Sequence, residues 1–308
     1  MTRLFHNSRR ESLRSVHRPG TLNPMVGVRW WQQKRRWMLA DKLQTGVAVI
    51  VLSSVSAVNA APLQQATTPA DAATKTDIRS PEFAHTVLQT LDDLHRGNSS
   101  RARLTMKVVT RHWTRTIGME AWSSGTKRSM VRITSPKKER GTATLMVDND
   151  LFTYLSKTDR TIKISGAMMG GAWMGSHFTN DDLVRSSRLS DDFTASLTGE
   201  GNLQGIDAYQ FTLVPRADAA VVWGKIVVTV RQSDLMPIAQ VFHDEDGVAV
   251  KALTFSDLRT TGDRTLPFKM KMVPLDRPGE STEVTYDAIE FNVPFSDDFF
   301  TVQNLRTM

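Results

Sequence analysis

The chain has 308 residues, 40% hydrophobic and 23% charged, with no cysteine. That length can bury one large core or two ordinary ones, and the missing cysteines exclude a disulfide framework, a thiolate zinc site and a lipid-modified N-terminal cysteine. The formal charge of +7 sits in residues 1–60, which hold ten Lys/Arg against two Asp/Glu; the remainder has 29 basic and 30 acidic residues, leaving no basic excess for binding nucleic acid.

The N-terminal sixty residues read as an export signal. Lys34-Arg35-Arg36 form a basic region, Val47 to Val58 a short apolar run, and Val58-Asn59-Ala60 puts small residues at a cleavage spacing. Cleavage after Ala60 and a periplasmic location are expected. The apolar run is short and serine-rich, whereas a membrane span needs about 20 residues. Met1 and Met25 both remain open as the start, and Ser8-Arg9-Arg10 lies too far from the apolar run to act as a twin-arginine signal. The expected organisation is an N-terminal extension with a cleavable signal (1–60), a flexible Ala/Thr/Gln/Pro linker (61–79) and one domain (80–308).

A helix is predicted over 80–96. Ser80 can cap it, Pro81 suits its first position, Phe83, Val87, Leu91 and Leu94 recur at helical spacing, and Gly97 ends it. From residue 100 the period becomes two. Leu104, Met106 and Val108 alternate with polar partners, as do Ile117, Met119 and Ala121, and Ala143, Leu145 and Val147 before the turn Asp148-Asn149-Asp150. Ile162 and Ile164, Ile226 to Val230, and Phe268 to Met272 continue the pattern. Val284, Tyr286 and Ala288 are followed by Ile289, Phe291 and Val293 one residue out of phase, which predicts a bulge. Asp246-Gly247 predicts a hairpin turn. So many half-apolar strands imply one curved antiparallel sheet from about 100 to 305, and two helices (80–96 and about 179–188) are too few for a second layer. The expected fold is mainly β (α+β): an incomplete, half-open β-barrel plugged by helices.

Between the strands lies "SGAMMGGAWMGSHFTNDDLVRSS", Ser165 to Ser187. Methionines repack around varied apolar shapes, glycines break regular structure, and Trp173 adds a large apolar surface with a polar handle. Thr179 can cap a helix whose first turn holds Asp181 and Asp182. Composition alone leaves two readings, a packed core loop or a flap hinged to a short helix.

Other candidate groups are weaker. His85, His95, His112, His177 and His243 share no metal-ligand spacing, "HDED" at 243–246 reads as a turn, and Ser176-His177 lacks a nucleophile elbow. The two "SDDF" copies, at 190–193 and 296–299, read as turn or cap signals. Lys137, Lys138 and Arg140 form an exposed turn or a contact for lipid headgroups or an acidic partner. Trp113, Trp122 and Trp223 fit either core or cavity wall. No catalytic set, metal or cofactor is expected.

The stretches "SPKKERGTATLMVDNDLFTYL", "MMGGAWMGSHFTNDDLVRSS", "LMPIAQVFHDEDGVAVKALTFSDL", "LPFKMKM" and "FNVPFSDDFFTVQNL" resemble the periplasmic lipoprotein-carrier superfamily (LolA/LolB-like), in the branch called outer membrane lipoprotein-sorting proteins. The resemblance covers about residues 80–305, and His177 departs from the acidic residue expected there. It implies an unclosed barrel of about eleven strands with an α-helical lid. It also implies a non-enzymatic carrier that binds acyl chains of lipoproteins or lipids and passes them across the envelope, and a possible RND-type inner-membrane export protein as partner. An accessory subunit docking on such an exporter is the alternative, and an enzyme acting on envelope lipid or glycan ranks below it. With the resemblance, the flap reading takes Met168, Met169, Trp173, Met174 and Phe178 as lid contacts. Leu104, Met106, Val108, Ile133, Leu145, Val147, Phe152 and Tyr154 are the expected sheet contacts, subject to register, since a one-residue slip exchanges the faces.

Overall fold

The computed structural model describes residues 77–307 apart from 186 and 187. The expected signal segment and most of the linker lie outside the described residues.

The first helix, α1 (Pro81–Asp93), begins as its sequence dictates: the Ser80 hydroxyl accepts from the Phe83 N–H at 3.1 Å, and Pro81 occupies the first turn. Ala84, Val87, Leu88 and Leu91 form its buried face. Thirteen strands follow in one antiparallel sheet. They are β1 (Ser99–Val109), β2 (Thr114–Ser124), β3 (Arg128–Ser135), β4 (Ala143–Val147), β5 (Asp150–Leu155), β6 (Arg160–Ile164), β7 (Phe193–Leu203), β8 (Ile206–Pro215), β9 (Lys225–Arg231), β10 (Pro237–His243), β11 (Ala249–Thr261), β12 (Arg264–Pro274) and β13 (Ser281–Phe291). Their spatial order is β6-β5-β4-β3-β2-β1-β13-β12-β11-β10-β9-β8-β7. Two meanders are thus joined where β1 pairs with β13, and β6 and β7 remain unpaired edges. The sheet is curved and not closed. Its thirteen strands exceed the eleven or so that the resemblance implied.

The out-of-phase apolar pattern in the last strand is a bulge. Arg103 pairs with Ala288 but Leu104 with Tyr286, so Asp287 is the extra residue. Without it, Val284 and Ile289 could not both be buried on one face. Gly247, at φ 78°, makes the predicted turn between β10 and β11.

Residues 165–192 connect edge to edge. They contain two short 3₁₀ turns (Gly166–Met168 and Trp173–Gly175), α2 (Asn180–Arg185) and α3 (Leu189–Asp192). The helix expected near 179–188 is α2, and α3 is a further short helix beyond it. Among the described residues no helix is long and apolar enough to cross a membrane.

The sheet ends at Phe291 rather than near 305. The chain then crosses the outer face of β2–β5 and closes with α4 (Val302–Thr307). Phe295, Phe299, Phe300 and Leu305 pack there against Trp122, Met130, Ala143 and Leu145. β4 is in consequence buried on both faces, with Ala143 and Leu145 under this segment and Thr144 and Met146 on the concave side. Arg132 fastens the end by donating to the carbonyl of Leu305 at 3.0 Å. Because Leu305 is fully buried, Leu305→Ala should cost about 2–5 kcal/mol, read as a lower urea midpoint at unchanged slope.

Candidate functional site

The concave face encloses a cavity of about 250 Å3. Its walls come from both meanders: Leu104 and Met119 from one, Ile226, Leu253 and Met272 from the other, with Leu91 and Leu94 of the α1 region at one side. Trp173, Phe178, Leu183 and Leu189 of the edge-to-edge segment complete it. A few polar groups interrupt the apolar lining, among them Asp92, His95, Arg96, Asp182 and Tyr286. Among the described residues no cluster of three or more His, Asp or Glu side chains could hold a metal ion.

Comparison with known proteins agrees with this geometry. A family model described as "Uncharacterized protein" matches residues 125–307. The chain belongs to that family. No curated protein matches it. Among solved structures, a Vibrio parahaemolyticus domain assigned as an outer membrane lipoprotein-sorting protein is 23% identical, with a TM-score of 0.66 over 74% of this chain and 100% of that one. A DUF1329 family protein from Desulfovibrio piger is 21% identical, with a TM-score of 0.67 over 73% and 98% of the two chains. A LolA superfamily protein from Nitrosomonas europaea is 22% identical, with a TM-score of 0.63 over 72% and 98%. The fold is LolA-like.

Within this LolA-like frame the predicted residues separate into groups. Leu104, Trp173 and Phe178 line the cavity. Met106, Val108 and Ile133 lie deeper on the same face, packed with Trp173, Met174 and Phe178 where the flap fills the hollow. Leu145, Val147, Phe152 and Tyr154 lie on the opposite face, against the C-terminal segment. The reason is the two-sided burial of β4: its alternation fits either face, and Thr144 and Met146 are the residues that face the cavity. Met169 packs against Met146, Leu151 and Val184, whereas Met168 is 46% exposed. Trp122 and Trp223 border the cavity, and Trp113 is exposed.

Polar contacts hold the flap in place. The Trp173 indole N–H donates to the Thr144 hydroxyl at 3.1 Å. Arg115 of β2 donates to the carbonyl of Met174, a residue in the left-handed region at φ 49°, and is itself paired with Glu139 at 3.3 Å. Lys137, Lys138 and Arg140 are exposed on the same loop as Glu139, so this basic turn adjoins the flap. Thr282 accepts the backbone N–H of His177 at 3.0 Å and lies 2.8 Å from its Nδ1, while His177 Nε2 lies 3.1 Å from Glu280. That set is satisfied when Thr282 donates to Nδ1 and Nε2–H donates to Glu280. The Arg111 N–H, and then His177, hold the Glu280 carboxyl below the usual range.

Behind the flap, Lys251 of β11 pairs with Asp182 of α2, both buried. Its ammonium lies 4.3 Å from the Trp223 ring centroid and 5.0 Å from that of Phe242. Burial lowers the Lys251 pKa, and Asp182 opposes that shift. Asp92 of α1 accepts from the Leu189 N–H at 2.8 Å, the Ser190 N–H at 2.9 Å and the Ser190 hydroxyl at 2.6 Å, tying α1 to α3. None of Asp92, Arg96, Arg115, Asp182 or Lys251 was singled out as a binding or anchoring group from sequence. The available signal was a charge inside or beside an apolar run, as in "AVKALTF" around Lys251.

Burial raises the Asp92 pKa to about 6 despite those donors. The folded state therefore holds this proton more tightly than the unfolded chain, and ionisation costs stability as pH rises from about 4 to 6. The stability of Asp92→Asn relative to wild type should thus rise by about 3 kcal/mol between pH 4 and 7, measured by urea denaturation at each pH.

Proposed function

We propose that the protein is a non-catalytic periplasmic carrier. It takes the acyl chains of lipoproteins or lipids into the cavity and passes them across the envelope, toward the outer membrane. The observation that carries this reading is the combination of an apolar hollow in an unclosed sheet with a roof fastened by apolar packing and by separate polar contacts.

The magnitudes favour reversible loading. A buried methylene contributes about 0.8 kcal/mol, so one chain contributes on the order of 10 kcal/mol before ordering costs. Each roof hydrogen bond contributes about 0.5–1.5 kcal/mol, or about 1.5–3 with a charged donor such as Arg115. Cargo can therefore displace the roof, and the roof's own affinity for the hollow limits retention. The cavity of about 250 Å3 falls just below the ~300–1,000 Å3 usual for small-ligand pockets, so a bulky lipid anchor needs the flap to swing out.

Native mass spectrometry and lipid extraction of the gently purified protein test the proposal. Near-stoichiometric amphiphile is expected. Arg115→Leu removes one fastening and should bind a neutral apolar dye, N-phenyl-1-naphthylamine, about ten-fold or more tightly than wild type. Failure of both proteins to take up dye or amphiphile would sink the carrier, and copurification with an RND-type exporter alongside that failure would favour the docking subunit.

A further inference from the structure

Arg96 is a cation at the wall of an apolar cavity. Arg96 lies two residues beyond Leu94, the last apolar position of the α1 stripe, just before the chain turns at Gly97 (φ 54°), and it is among the lining residues. Its Nη1 is buried without a hydrogen-bond partner; burial lowers its pKa, and Tyr286 and then Asp92 oppose that shift through space without a hydrogen bond to it. The two carboxylates of the lining are engaged elsewhere: Asp92 with the donors of α3, and Asp182 with Lys251. His95 does not add to the charge. Its Nε2 donates to the Pro267 carbonyl at 2.8 Å, and burial pushes its pKa down to about 4, so it is neutral near pH 7. The Tyr286 ring stacks on His95 at 4.5 Å, and its hydroxyl, pushed up to about 12 by burial, remains a proton donor. A buried guanidinium nitrogen without an acceptor is costly unless something supplies one.

We infer that the cavity selects amphiphiles whose head carries anionic oxygens, a carboxylate or a phosphate, and that Arg96 receives that head while the apolar walls take the chain. A guanidinium offers two parallel N–H donors to either group. The inference rests on the carrier reading and narrows its cargo.

Displacement of N-phenyl-1-naphthylamine by tetradecanoate, tetradecyl phosphate and tetradecanol, which share one chain length, tests it. Wild type should bind one or both anions at least ten-fold more tightly than the alcohol, and the order of the two anions identifies the head. Arg96→Met should lose the preference for the anions over the alcohol while still taking up the dye. It should also melt no lower than wild type, since a guanidinium with a buried, unpartnered Nη1 has been removed. If Arg96→Met does not fold, Arg96→Gln serves the same comparison. Equal affinity for all three competitors in wild type, or a preference that survives loss of the guanidinium, overturns the inference and leaves the carrier intact. Failure of wild type to bind dye or any competitor overturns both.

Discussion

The pairing of β1 with β13 governs the architecture. It joins two meanders through their first and last strands, so the two sheet edges, β6 and β7, are consecutive in the chain. Closing the barrel would require those edges to pair; between them, Trp173, Phe178, Leu183 and Leu189 pack against the concave face instead. A roof is therefore a topological consequence of an open sheet. What the sequence of that segment decides is how firmly the roof is held.

It is held in a mixed manner. Trp173 and Phe178 are packed as a core would pack them, and Phe178 touches the apolar clusters of both meanders. Yet the backbone of the flap has only two 3₁₀ turns and an isolated bridge between Ala172 and Thr179. Its other fastenings are hydrogen bonds to the start of α2, as from the Asn180 and Asp181 N–H groups to the carbonyls of Gly171 and Met169, and contacts with side chains of the sheet, as from Arg115 to the Met174 carbonyl and between Thr282 and His177. Such contacts can break one at a time without unravelling a ladder. The two readings left open by composition, core loop and flap, thus describe the apolar and polar sides of one segment.

Much of the fold was legible because period-two alternation survives wherever one sheet face is wet or lines a hollow. A phase slip in that alternation exposed the bulge, whose extra residue is Asp287, while a cap and helical spacing exposed the helix after Ser80. It failed where both faces are buried. In β4 the set Ala143, Leu145, Val147 and the set Thr144, Met146 are both enclosed, so alternation could not show which one meets the cavity. The C-terminal segment that creates this ambiguity carries four large apolar residues without a strand-like run, and its destination on the outer face depends on tertiary packing. The charged groups of the site were harder still. Asp92, in the last turn of α1, and Arg96, just after it, read as ordinary polar punctuation, and only the fold reveals that they line the cavity.

Two features of the cavity depart from what a finished protein core would show. It leaves about 250 Å3 unfilled beneath the roof, and at its wall the Nη1 of Arg96 is buried without a hydrogen-bond partner. A purely structural interior would remove both, by filling the hollow with leucine and replacing Arg96 with an apolar residue, since each is a net cost to stability. On the carrier reading proposed above, one event would relieve both: an anionic amphiphile that lifted the flap would add apolar contacts along the sheet and bring acceptors to Arg96. Release would reverse both gains, so the affinity that captures cargo would be set against a roof and a charge maintained at a cost in stability.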